Sequence, residues 1–137
     1  MASVEFSILC SSALEHGGLV SILGGGLDRV SGPQLPMQLV VTLVTRIIWD
    51  ERELGHPQIL RLLVEHAEDG EQLARIDASA VPGRAVDAPT DLPVGNVLIQ
   101  PLPLDIRRAG RYRVVVAING EPLAVLPLIA ETTLPQL

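Results

Sequence analysis

Short apolar stretches with a two-residue period recur along this chain, and each is closed by a turn. The clearest is Arg111–Ile118. Tyr112, Val114, Val116 and Ile118 fall on one face, and Arg111, Arg113, Val115 and Ala117 on the other, as in a strand with one buried side. Asn119-Gly120 follows, a pair that accepts the positive φ a two-residue hairpin requires. The next strand is then Glu121–Glu131. Leu39–Trp49 is the most strongly apolar run, β-branched throughout. Leu39, Val41, Leu43, Ile47 and Trp49 share one parity; Val40, Thr42, Val44, Arg46 and Ile48 share the other. That second face is too apolar for simple exposure, so it is either central in the fold or covered by another subunit.

The same reading places strands over Val4–Cys10, Leu19–Val30, Pro57–His66, Gln72–Ala80 and Val94–Ile106. Turns fall at Glu15–Gly18, at Glu68–Glu71 and at Arg107–Gly110, with a charged connection over Asp50–Gly55. Pro101 and Pro103 confine their strand to an edge or a bend, because proline offers no N–H to a central ladder. Three glycines, Gly24, Gly25 and Gly26, interrupt Leu19–Val30 and mark a bulge, a sharp bend or the close approach of another backbone. A phosphate-cradling loop is the other use of such a run. It requires a following helix, which Leu27–Pro33 cannot begin. Residues 81–93 hold three prolines and form an extended loop suited to movement or to reaching a partner, and 132–137 a loose tail. No stretch of ten residues carries a helical period. The expected fold class is all-β: one antiparallel β-sandwich of about eight strands spanning 1–137, with Ig-like or jelly-roll connections, an eight-stranded barrel being the alternative.

Composition narrows what such a domain does. The 137 residues are 47% hydrophobic but only 2% aromatic, and the formal net charge is -6. All ten basic residues are arginine, scattered without a stripe. An acidic chain with no basic cluster offers nothing to phosphate backbones or to anionic lipid, so neither nucleic acid nor a membrane is an expected partner. The start, Met1–Phe6, lacks a basic leader, and the longest apolar run is eleven residues with Arg46 inside it, too short to span a bilayer. Cys10 is the single cysteine and frames no disulfide. A cytoplasmic location is expected.

Convergent chemistry is sparse. His16, His56 and His66 lie far apart in sequence. His66 beside Glu65, Glu68 and Asp69 has metal-ligand residue types, but a solvated hairpin end explains the same acids. Cys10 with His16 is a conceivable thiol and base, yet nothing nearby would activate the thiol, and free cysteine is usually a core residue. Asp28-Arg29 and Asp50–Glu53 read as solvated charge. Trp49, the only tryptophan, reads as a core anchor, with an interface role the alternative. No catalytic residue, cofactor or metal is expected.

Ala109–Val116, with its Gly110-x-Tyr112-x-Val114 core, resembles the segment near the end of many Ig-like sandwich domains. The resemblance implies a tyrosine packed at a corner with its hydroxyl on nearby backbone. Phe6–Cys10, Gly18–Gly24 and Gly110–Glu121 together resemble a family of small bacterial proteins with no assigned activity. That resemblance implies a fold and no catalytic residue. The surplus of apolar strand positions then favours a non-enzymatic structural or protein-interaction module that self-associates as a dimer or higher homo-oligomer. Val40, Val44, Ile48, Leu63 and Val115 are its candidate interface. Tyr112, Gly110, Trp49, Gly24, Gly25, Gly26, Asn119 and Gly120 are its candidate structural residues. A small-ligand binder, with its pocket between the sheets or at the loops, is the second reading. A small metal-dependent hydrolase using the histidines is the third.

Overall fold

The computed structural model describes residues 1–133. Three strands, β1 (Ser3–Cys10), β5 (Met37–Trp49) and β8 (Val94–Ile106), form an antiparallel sheet in the order β1-β5-β8. Five more, β4 (Arg29–Gly32), β6 (Gln58–His66), β7 (Gln72–Ala80), β9 (Gly110–Ile118) and β10 (Glu121–Thr132), form a second sheet in the order β4-β10-β9-β6-β7. β2 (Ser12–His16) and β3 (Leu19–Leu23) make a separate hairpin. The chain is an all-β sandwich: β1 lies over β10, and β8 over β7.

Alternation decides what enters the space between the sheets. Leu9, Val41, Leu43, Leu102 and Leu104 enter from the smaller sheet, and Leu62, Val64, Val114, Val116 and Leu128 from the larger. Ala2, Ile47, Trp49, Leu60 and Ile118 form a second cluster. Removing each large aliphatic side chain from water contributes about 2 kcal/mol, and this is the main force joining the sheets.

Four expectations change. Among the described residues there are ten strands, because Ser12–His16 is a strand of its own and Leu19–Val30 divides into β3 and β4. Gly24 and Gly26 take positive φ, 66° and 82°, and turn the chain from the hairpin into the larger sheet. The turn expected at Glu15–Gly18 contracts to Gly17-Gly18, since Glu15 and His16 pair with Val20 and Leu19. The sandwich is not wholly antiparallel: β4 runs parallel to β10, with Ala130 opposite Val30. Of the expected tail 132–137, Thr132 ends β10 and the Thr133 N–H donates to the Gly32 carbonyl at 2.9 Å; residues 134–137 lie outside the described residues. The irregular 81–93 loop curls around Arg84, whose Nη1 donates to the carbonyls of Pro89 (2.9 Å) and Leu92 (2.6 Å) and whose Nη2 meets Glu51.

Candidate functional site

The five candidate interface residues fall on two outside faces. Val40, Val44 and Ile48 share the outer face of the smaller sheet. Val44 is 0% exposed, which corrects its place in an interface. Strand β2 lies against β5 and β8 there, and Cys10 and Thr42 are buried on the same face. The chain's own hairpin therefore covers what periodicity left open to a subunit. Gly25 permits this: a Cβ on it would stand 3.1 Å from both Ile22 of the hairpin and Ile8 of β1. A Cβ on Gly24 would stand 2.6 Å from the Ser11 hydroxyl. Val40 remains 57% exposed and lines an open groove of about 380 Å³ with Gln38, Pro103 and Asp105. Ile48 is half-buried, and a Cβ on Gly95 opposite would stand 2.9 Å from its Cδ1.

Leu63 and Val115 lie opposite each other on the outside of the larger sheet, and Val125 lies opposite Val115. The three make one apolar row across β6, β9 and β10. Ion pairs flank it. Arg113 meets Glu65 on one side; on the other, Arg61 Nε stands 2.9 Å from Asp77 Oδ1. Asp77 also receives Arg75 Nε at 3.0 Å, and the Arg61 hydrogen bond above all holds its carboxyl below the usual range. The sequence reading missed Val125 and the hairpin leucines Leu14, Leu19 and Leu23, which are 66%, 70% and 70% exposed. Ser12–His16 was the missed signal, too short and too close to the turn to stand out as a strand.

The structural residues form two fixed points. Tyr112 is buried, and its hydroxyl donates to the Arg108 carbonyl at 2.6 Å. Its ring meets the His66 ring edge to face, with centroids 4.8 Å apart. Gly110, at φ 137°, leaves room for that imidazole: a Cβ would stand 2.9 Å from His66 Nε2. Burial pushes the Tyr112 phenol up. At the other end Asn119 (φ 52°) and Gly120 (φ 83°) make the hairpin turn. The Asn119 side chain accepts from the Ile59 N–H at 2.9 Å and donates to Gln58 Oε1 at 2.7 Å, tying β9 to β6. Trp49 is buried in the core, with Nε1 donating to Asn96 Oδ1 at 2.7 Å.

The three histidines and Cys10 sit on separate segments, and His66 Nδ1 stands 3.8 Å from Asp69 Oδ1. His66 is buried, and its Nδ1 accepts from the Glu68 N–H at 3.3 Å, so that nitrogen faces its own turn. His16 sits on the exposed hairpin at 3.1 Å from Ser21 Oγ, and His56 is exposed between the 3-10 turn Glu51–Glu53 and β6. Cys10 is buried, with Sγ 3.4 Å from the Thr42 carbonyl, and burial raises its pKa. Among the described residues no three His, Cys, Asp or Glu side chains are grouped to hold a metal ion. No helix among them is long and apolar enough to cross a membrane. A crevice of about 270 Å³ between the sheet edges reaches Trp49, lined also by Leu60, Val81, Leu98 and Asn96.

Two solved structures align with most of this chain. A crystal structure of the C-terminal domain of Wzt aligns with a TM-score of 0.53 at 15% identity, over 98% of this chain and 75% of that one. At that identity the likeness shows the fold alone. An immunoglobulin-like protein from Pseudomonas aeruginosa aligns with a TM-score of 0.42 at 13% identity, over 95% of this chain and 96% of that one. No curated protein matches the chain. Residues 5–131 match DUF6941, a family of unknown function, and the chain belongs to that family.

Proposed function

We propose that this is a non-enzymatic, self-associating β-sandwich module of the cytoplasm, structural or protein-binding in role. The observation that carries the reading is the apolar surface left outside a filled sandwich. Leu63, Val115 and Val125 stand in one register across three strands, and Leu14, Leu19 and Leu23 project from the hairpin. Such side chains contribute binding free energy when a partner covers them, and ion pairs beside the row supply the polar rim of a specific contact. Native mass spectrometry of the untagged protein across a concentration series tests it. A mass at a multiple of the chain, rising with concentration, is expected. A monomer throughout removes the self-association.

Small-ligand binding is the second reading, favoured by the crevice at Trp49. The chain has one tryptophan, so its fluorescence reports on that crevice without interference. A saturable change in Trp49 emission with small apolar ligands, absent in Leu98→Arg, would support this alternative. A flat response across such ligands would remove it.

A further inference from the structure

The sandwich protects its edges unequally. Backbone direction alternates along an antiparallel strand, so one fixed hydrogen bond settles which residues point outward. The Leu9 carbonyl is taken by the Leu27 N–H on the side of β1 away from β5. Cys10, Ile8 and Phe6 therefore bond Thr42, Val44 and Arg46, and β5 turns Val41 and Leu43 toward Leu102 and Gln100 of β8. Pro101 and Pro103 then fall at outward positions, closing the free edge of β8. On β10, the Ile129 N–H reaches Asp28 on the side away from β9, so Pro127 closes the same edge further along. β4 has four residues, and β1 carries a bulge between Val4 and Phe6. Prolines, bulges and short strands are ordinary means of preventing edge pairing.

Strand β7 has none of these from Ala74 to Ser79; its one irregularity lies at the Leu73 end. Ile59 exchanges both its backbone groups with Asn119, so the even residues of β6 bond β7. Arg75, Asp77 and Ser79 consequently point their N–H and C=O groups outward. The stretch is also complementary to itself. About a two-fold axis at Ile76, Arg75 falls opposite a second Asp77, Ala74 opposite Ala78, and Ile76 opposite itself. Shifting the axis to residue 77 sets Asp77 against Asp77, and to residue 75 Arg75 against Arg75. Like charges directly opposite disfavour both shifts.

We infer that a second copy of this chain is the occupant of this edge: β7 pairs antiparallel with its equivalent about Ile76, joining two five-stranded sheets into one of ten. The inference rests on the self-association reading and names its strand. Arg75 and the second copy's Asp77 exchange both backbone hydrogen bonds and face each other on the outer side. The two Ile76 side chains, each only half-buried in one copy, meet on the inner side.

Two charge reversals test the register. Arg75→Asp sets Asp opposite Asp in its own homodimer, and Asp77→Arg sets Arg opposite Arg. Each reverses two symmetry-related pairs and is expected to weaken homodimerisation on the order of thirtyfold. An equimolar mixture restores both opposite-charge pairs, and native mass spectrometry should find the heterodimer. Far-UV circular dichroism and melting establish that both variants are folded. Because Asp77 also holds Arg61, Arg75→Pro provides a second variant; it removes the outward N–H that faces the second copy's Asp77 without touching the β6 ladder, and should stay folded while associating more weakly. Homodimers unchanged by these variants would overturn the edge while leaving self-association by another surface. Folded variants whose mixture stays monomeric would overturn the register. A wild-type protein monomeric at every concentration would overturn both the edge and the reading beneath it.

Discussion

Strands β7 and β8 border the same side of the sandwich and are held in opposite ways. β8 is pinned from inside: Leu102, Leu104 and Ile106 are all buried, and its outward backbone is closed by two prolines. β7 contributes Ala74 and Ile76, both half-buried, while Ala78 is exposed. Its outer side chains are an ion-paired Arg75 and Asp77. One edge is thus part of the core with its hydrogen bonding shut off; the other is loosely covered with its hydrogen bonding available. Edge position alone does not define an interaction site. What matters is whether side-chain burial and backbone chemistry close the edge together.

Substitutions should separate the two edges by size of effect. Leu102→Ala empties a fully packed site in β8 and should cost about 3 kcal/mol of stability in chemical denaturation. Ile76→Ala removes a half-covered side chain from β7 and should cost only about 1 kcal/mol, while weakening self-association. Equal losses would mean that β7 is as deeply anchored as β8. Pro103→Thr should change stability by less than about 0.5 kcal/mol, since its side chain is exposed, yet restore an outward N–H. Raised association of that variant, measured by light scattering, would show that proline is what keeps β8 closed; no change would assign the closure to side chains instead.

The smallest effect concerns acid. Asp77 is held below the ordinary carboxylate range by Arg61 first and by Arg75 after it. A depressed folded-state pKa stabilises above the ordinary carboxylate value and loses that contribution as pH falls through the folded value. The melting temperature of Asp77→Asn should therefore converge with that of the wild type in acid and diverge near neutrality. A constant difference across that range would mean that the carboxylate charge is not what tethers β7 to β6.

Much of the larger sheet was legible because its signals are local. Asn119-Gly120 and Asp69-Gly70 name their hairpins, and the alternation through Tyr112–Ile118 names the buried face without reference to distant residues. Gly110-x-Tyr112 pointed to a buried corner, and the Tyr112 hydroxyl sits on the Arg108 carbonyl. Other features depended on contacts far apart in sequence. β4 against β10 joins residues about a hundred positions apart, and a parallel pairing leaves no turn to announce it. The candidate surface was legible only as a parity. That parity grouped Val40, Val44 and Ile48 as equals, though only Val44 lies sealed beneath the chain.

By itself the sequence determined the all-β class, the faces of most strands, the tight turns and the family. Period, turn chemistry and glycine placement act over a few residues and need no knowledge of the partner strand. Tertiary structure alone decided that the hairpin folds over the smaller sheet, that β4 joins the larger one in parallel, and that the proline-free β7 lies at a sheet edge. Those outcomes turn on which apolar face finds which cover first in three dimensions, and an alternating pattern states only that a face must be covered, not by what.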